Sequence, residues 1–172
     1  MNPPSKTIAT LLPIAPADLP AVLALNNAHA AELSWLKPPR LAHLVGQAFF
    51  ARRIGELDAF ILAFDQAADY DSPNYLWFRE RYPRFVYVDR IAVAGAARGR
   101  GLARLIYETL FSAAAADGHA MVTCEVNSGP PNPASDAFHA ALGFREVGAA
   151  SIHGGAKSVR YYLREIVPAA AT

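Results

Sequence analysis

A single cysteine, Cys124, in a chain of 172 residues excludes an internal disulfide and any multi-cysteine metal site. Its place among strand-forming residues predicts a buried, inert thiol. Net charge is equally scarce: 16 Lys and Arg against 15 Asp and Glu give +1, which argues against a broad nucleic-acid surface. No apolar run approaches the roughly 20 residues that span a bilayer. The N-terminus also lacks a basic segment followed by a signal-type apolar core. The expectation is a cytoplasmic protein with neither a membrane nor a nucleic-acid partner. His29, His43, His119 and His153 fall without metal-ligand spacing, so no metal is expected. No repeat and no Pro/Ser-rich linker divides the chain, which predicts one domain over residues 1–172 with its core at about 6–166. Hydrophobic residues at 53% against 18% charged supply enough material for that core.

What is present is concentrated between Asp89 and Ala103. A strand, Phe85 to Val93, alternates apolar and polar residues and meets Gly95. A helix then starts at Leu102, with Leu105, Ile106, Leu110, Ala113 and Ala114 at three- and four-residue steps and Asp117-Gly118 as its stop. The first turn of such a helix carries unpaired N–H groups and partial positive charge. Gly99 and Gly101 remove Cβ atoms there, while Arg98, Arg100 and Arg104 add charge that meets phosphate well. The combination reads as an anion cradle; a glycine turn with solvated arginines is the alternative. A Walker loop is absent, because no glycine precedes Lys-Ser/Thr. The dinucleotide fingerprint starts at Gly99 and Gly101 but fails at Arg104, where a small residue is required.

A second organised block follows. Met121 to Asn127 reads as a strand, Ser128 to Pro131 as a loop, and Asn132-Pro133 as the capped start of a helix running through Phe138, Ala141 and Leu142 to Gly143-Phe144. Strand alternation puts Glu125 on one face with Met121 and Thr123, opposite Val122, Cys124 and Val126. Upstream, Ile8 to Leu12 reads as a short strand. Helices open at Pro16 and at Pro38-Pro39, and Phe49–Ile54 with Leu57–Phe64 forms a hairpin around Gly55. The connection from Phe64 to Phe85 is longer than a hairpin needs, and such loops are often functional.

The string Arg98-Gly99-Arg100-Gly101-Leu102-Ala103 resembles the pyrophosphate-binding signature Arg/Gln-x-x-Gly-x-Gly/Ala of the GNAT superfamily of acyl-CoA-dependent N-acetyltransferases. The second block is similar to the same family's next segment, closing on Phe138-His139-Ala140-Ala141-Leu142-Gly143-Phe144. The resemblance implies a mixed α+β fold: a twisted, mostly antiparallel sheet of six to seven strands with about four helices, splayed where acetyl-CoA enters. It implies acetyl-CoA as co-substrate, held by Arg98, Gly99, Arg100, Gly101, Leu102, Ala103, Arg104, Asn132 and Ser135. Backbone groups of a bulged strand at Ile91, Ala92 and Val93 would pair with the pantetheine and polarise the thioester carbonyl.

Chemistry then divides between an acid and a base. Many members carry a tyrosine as acid where this chain has His139, and an imidazole can serve in its place. Ser135 lies one turn earlier on the same face and can hold the thiol or relay a proton. Glu125 matches the glutamate assigned as base in ribosomal-protein N-terminal acetyltransferases; Asp89 and a water relay are the other candidates. Asn26, Glu32, Trp35, Tyr70, Tyr75 and Trp77 are expected to wall the acceptor site, with Asp65 or Asp69 attracting an ammonium. The aromatics fit a homodimer contact equally well. The resulting expectation is direct acetyl transfer to a small-molecule amine. A non-catalytic acyl-CoA-binding module and a protein N-terminal or lysyl acetyltransferase are the alternatives.

Overall fold

The computed structural model describes residues 9–170. Seven strands form one sheet in the order β1-β2-β3-β4-β5-β7-β6. They are β1 (Leu11–Pro13), β2 (Phe50–Ile54), β3 (Ala59–Asp65), β4 (Val86–Val93), β5 (Met121–Gly129), β6 (Arg145–Ile152) and β7 (Lys157–Glu165). Every neighbouring pair is antiparallel except β4 and β5. Six α-helices accompany them: α1 (Leu19–Ala28), α2 (Ala30–Leu33), α3 (Pro38–Gln47), α4 (Pro73–Arg79), α5 (Leu102–Ala116) and α6 (Pro133–Ala141).

The hairpin, the strand before the glycine loop, α5, the β5 strand and α6 all form where the residue pattern puts them. The first strand starts at Leu11 rather than Ile8, which lies outside the described residues. Two helices exceed the expected four. The connection from Phe64 to Phe85 is not an open loop, because Pro73 starts α4 and Tyr75 and Phe78 are buried from it. Seven residues are too few for a helix to stand by propensity alone, so packing against the sheet supports it.

Both faces of the sheet are covered. On one, Ile106, Tyr107 and Leu110 of α5 pack over Val86, Val88, Val122 and Cys124. On the other, Leu41 and Leu44 of α3 and Tyr75 and Phe78 of α4 pack over Phe60, Leu62, Tyr87 and Tyr161. Cys124 is buried, as its strand neighbours predict.

One irregularity positions the site. Along β3, Leu62 opposes Arg90 but the next residue, Ala63, opposes Val88. Asp89 is therefore an extra residue, a bulge that bends β4. Pairing between β4 and β5 covers only Val86–Val88 against Val122–Cys124. Beyond it the strands part, and the β5-facing polar groups of residues 89–93 have no strand partner.

Candidate active site

A cavity of about 770 Å³ fills the gap between the parted strands. Ile91, Ala92 and Val93 line it from β4, Arg98, Gly99 and Ala103 from the glycine loop and α5, and Asn132, Ser135 and His139 from the cap and body of α6. Gly101 caps α5 in the left-handed conformation at φ 74°, and Gly99 has the same φ. A Cβ at either glycine would meet nothing within 4 Å, so the loop faces open space. The N–H groups of a 15-residue helix thus open onto room for an anion, with Arg98 beside them. These residues fit the pyrophosphate and pantetheine arm of a coenzyme A thioester.

Not every arginine of the loop belongs to this site. Arg100 turns away to Asp58 in the β2–β3 turn, at 2.9 Å, and Arg104 lies 3.6 Å from Glu108 one turn along α5. Leu102 is buried in the core. In this arrangement Arg100, Leu102 and Arg104 do not line the cavity, whereas Arg98, Gly99 and Ala103 do. Arg98 in turn lies 3.3 Å from His29 Nε2.

A second cavity, of about 280 Å³, adjoins the first on the α4 side of the sheet. Glu32, Leu33, Asp89, Arg90 and Glu125 line both. Glu125 Oε2 accepts a hydrogen bond from the Tyr87 hydroxyl at 2.6 Å, and Oε1 accepts one from Asn74 Nδ2 at 3.2 Å. Asn74 is fixed by the Tyr161 hydroxyl at 2.9 Å. Burial pushes the Glu125 pKa up to about 7, with Asp89 adding to the rise and the two hydrogen bonds opposing it. A carboxyl poised near neutrality at the junction of two cavities can take a proton.

Asp89, the other carboxyl shared by the two cavities, is held in an ion pair. Its Oδ1 accepts from Tyr70 at 2.7 Å, its Oδ2 meets Arg90 Nε at 2.7 Å, and its side chain is 4% exposed. Arg90 reaches on to Asn26 Oδ1 at 2.8 Å. Asn26 also donates to the Ser34 carbonyl, so it ties the segment after α1 to β4 rather than facing an acceptor.

His139 departs from expectation as well. Its Nδ1 lies 2.8 Å from the Ser135 carbonyl, which only an N–H can satisfy, and Ser135 Oγ is 3.3 Å away. Nε2 is then left to accept from the Tyr107 hydroxyl at 2.8 Å. Burial pulls the imidazole below its ordinary pKa. Both ring nitrogens are engaged, and His139 stands with Tyr107 as a hydrogen-bonded pair at the cavity wall.

Of the expected acceptor residues, Glu32 and Tyr70 line the second cavity. Tyr75 is fully buried, its hydroxyl 2.7 Å from the Asp65 carbonyl. Trp77 stacks on Tyr161 at 4.3 Å and sits so close to Gly148 that a Cβ there would fall 2.5 Å from the indole. Trp35 is exposed and, like Asp65 and Asp69, lines neither cavity. Tyr75 and Trp77 stay out of the cavities because aromatic side chains on α4 gain more by burial against the sheet than by facing solvent. The residues that sequence reasoning missed are Tyr87, Asn74, Arg90, Tyr107 and Lys157. Only Tyr87 carried a signal, since alternation along β4 puts it on the face of Asp89.

Solved structures share this architecture at low identity. The ribosomal-protein-S18-alanine N-acetyltransferase of Escherichia coli aligns with TM-score 0.69 at 18% identity, over 96% of this chain and 98% of its own. A phosphinothricin acetyltransferase of Sinorhizobium meliloti, solved with acetyl-CoA, gives 0.69 at 19% identity, over 95% and 91%. NAA60 of Arabidopsis thaliana, also with acetyl-CoA, gives 0.71 at 16%, over 92% and 98%. No curated protein sequence matches significantly. The model of the acetyltransferase (GNAT) family matches residues 25–144, more than half of the sequence, and the chain belongs to that family.

Proposed function

We propose that this protein transfers an acetyl group from acetyl-CoA to the amine of a small acceptor by direct attack. The observation that carries the reading is the meeting of two cavities at Glu125, a carboxyl whose pKa is pushed up to about 7. The larger cavity suits the donor and the smaller one the acceptor, on opposite faces of the splayed sheet.

Bound acetyl-CoA would supply a thioester carbon open to attack. Arg98, the N-terminus of α5 and the backbone of Gly99 would hold its phosphates. The unpaired backbone of Ile91 to Val93 would orient the thioester and offer N–H groups to its carbonyl oxygen, as an oxyanion hole does. Glu125 accepts the proton of the acceptor's ammonium, leaving a neutral amine to attack. Tyr87 and Asn74 hold the carboxylate in place while it does so. The nitrogen that has attacked gives up its second proton, which passes by way of the Tyr107 hydroxyl, held by His139, to the sulfur that departs, so the pair ends as it began.

The test is calorimetry with acetyl-CoA followed by thiol release over a panel of primary amines. Binding with turnover on a small amine supports the reading, and absence of both overturns it.

A further inference from the structure

The charges around the smaller cavity say what kind of amine it takes. Eight acidic or basic side chains line it: Glu32, Arg40, Asp71, Asp89, Arg90, Glu125, His153 and Lys157. Two ion pairs neutralise four of them, Arg40 with Asp71 and Arg90 with Asp89. The carboxyls that remain, Glu32 and Glu125, are both shared with the donor cavity, so the negative end faces the point of transfer. Lys157 lines only the smaller cavity, and its ammonium makes no ion pair among the described residues.

The strand register sets how far apart these ends lie. Glu125 pairs with Tyr161 of β7, and Lys157 lies four positions earlier on that strand, sharing the Tyr161 face. At about 3.3 Å per residue this is roughly 13 Å between backbone positions, and both side chains line the one smaller cavity. At about 280 Å³ the cavity is much the smaller of the two and suits a small acceptor. Lys157 is half-buried, so a carboxylate brought to it is partly shielded from solvent.

Building on the acetyltransferase reading above, we infer that the acceptor is a free amino acid: a small primary amine that also carries a carboxylate, with its ammonium at Glu125 and its carboxylate at Lys157. Glu32 adds attraction for the ammonium, and His153 borders the same cavity as Lys157. The N-terminal residue of a peptide presents a neutral amide where the free acid has its carboxylate, and would leave Lys157 without a partner.

The experiment measures thiol release from acetyl-CoA with each free amino acid, its primary amide and its decarboxylated amine. Wild type, Lys157→Ala and Lys157→Arg are compared, with calorimetry confirming that each still binds acetyl-CoA. The expected result is at least one free amino acid with kcat/KM roughly tenfold or more above both of its analogues. Lys157→Ala then raises KM for that acid roughly tenfold with little change in kcat, while its amide is unaffected. Lys157→Arg restores most of the loss. Amides or decarboxylated amines that match or exceed the free acids overturn the inference, as does a preference that Lys157→Ala leaves unchanged. Intact acetyl-CoA binding without turnover on any free amino acid overturns the acceptor assignment alone. Loss of acetyl-CoA binding in the wild type removes the enzyme reading and this inference with it.

Discussion

Tyr87 donates its phenolic hydrogen to Glu125 across 2.6 Å, from β4 to β5, just where the two strands stop pairing. The bond stabilises the charged carboxylate, while burial disfavours it more strongly. The balance leaves Glu125 able to gain and lose a proton near neutral pH.

Activity is expected to rise with pH through about 7 as Glu125 ionises. Glu125→Gln lowers kcat by about 10²–10⁴. Tyr87→Phe removes a contact that favours the charged form, so the acidic limb of the kcat profile moves to higher pH. A limb unmoved in Tyr87→Phe would separate Glu125 from the observed titration.

The same residue costs stability. The folded chain holds the Glu125 proton more tightly than the unfolded chain, whose carboxyl titrates near 4.5. The contribution is therefore favourable below pH 4.5 and lost as pH rises through about 7. Glu125→Gln is expected to be more stable than wild type at pH 8, by on the order of 1–3 kcal/mol in urea denaturation.

Arg98→Ala weakens acetyl-CoA binding by roughly 10- to 100-fold, the range for a lost charge-assisted hydrogen bond, with kcat little changed. Arg100→Ala, directed at Asp58 instead, changes binding by less than about threefold. Calorimetry distinguishes the two; equal losses would return Arg100 to the phosphate site.

Tyr107→Phe and His139→Phe are each expected to lower kcat by about 10-fold or more without weakening acetyl-CoA binding. Because one hydrogen bond joins them, the double variant should lose little more than either single one. Multiplied effects would show two independent roles.

His119, just before β5 in the chain, is fully buried with its ring against Phe49, and burial, followed by nearby Arg84, lowers its pKa below 6.5. Protonation is easier in the unfolded chain, so its stabilising contribution is present above pH 6.5 and lost as pH falls below it. Glu125 acts in the opposite sense over the same range, so the His119 effect is read as a difference: from pH 7 to pH 5 the urea midpoint of His119→Leu should fall less, or rise more, than that of wild type.

The glycine loop and the two helices behind it are local objects, and periodicity with capping residues was enough to locate them. Glu125 was likewise legible, because strand alternation fixes its face from its immediate neighbours. Its partners were not. Asn74 is 51 positions away and enters on α4, whose short apolar run reads as an aromatic loop until the sheet gives it a surface to cover. Tyr75 and Trp77 were misread for the same reason, since local sequence does not say which side of an aromatic segment faces the core.

The sequence by itself determined the wall of the larger cavity: a strand, two glycines free of Cβ, and a helix N-terminus are set by chain neighbours within a few residues. Only the tertiary structure decided the smaller one. Placing β7 between β5 and β6 brings Lys157 along the Glu125 face, and the bulge at Asp89 opens the gap that joins the two cavities. Both depend on pairings between segments far apart in the chain, whose register is fixed by packing over the whole sheet.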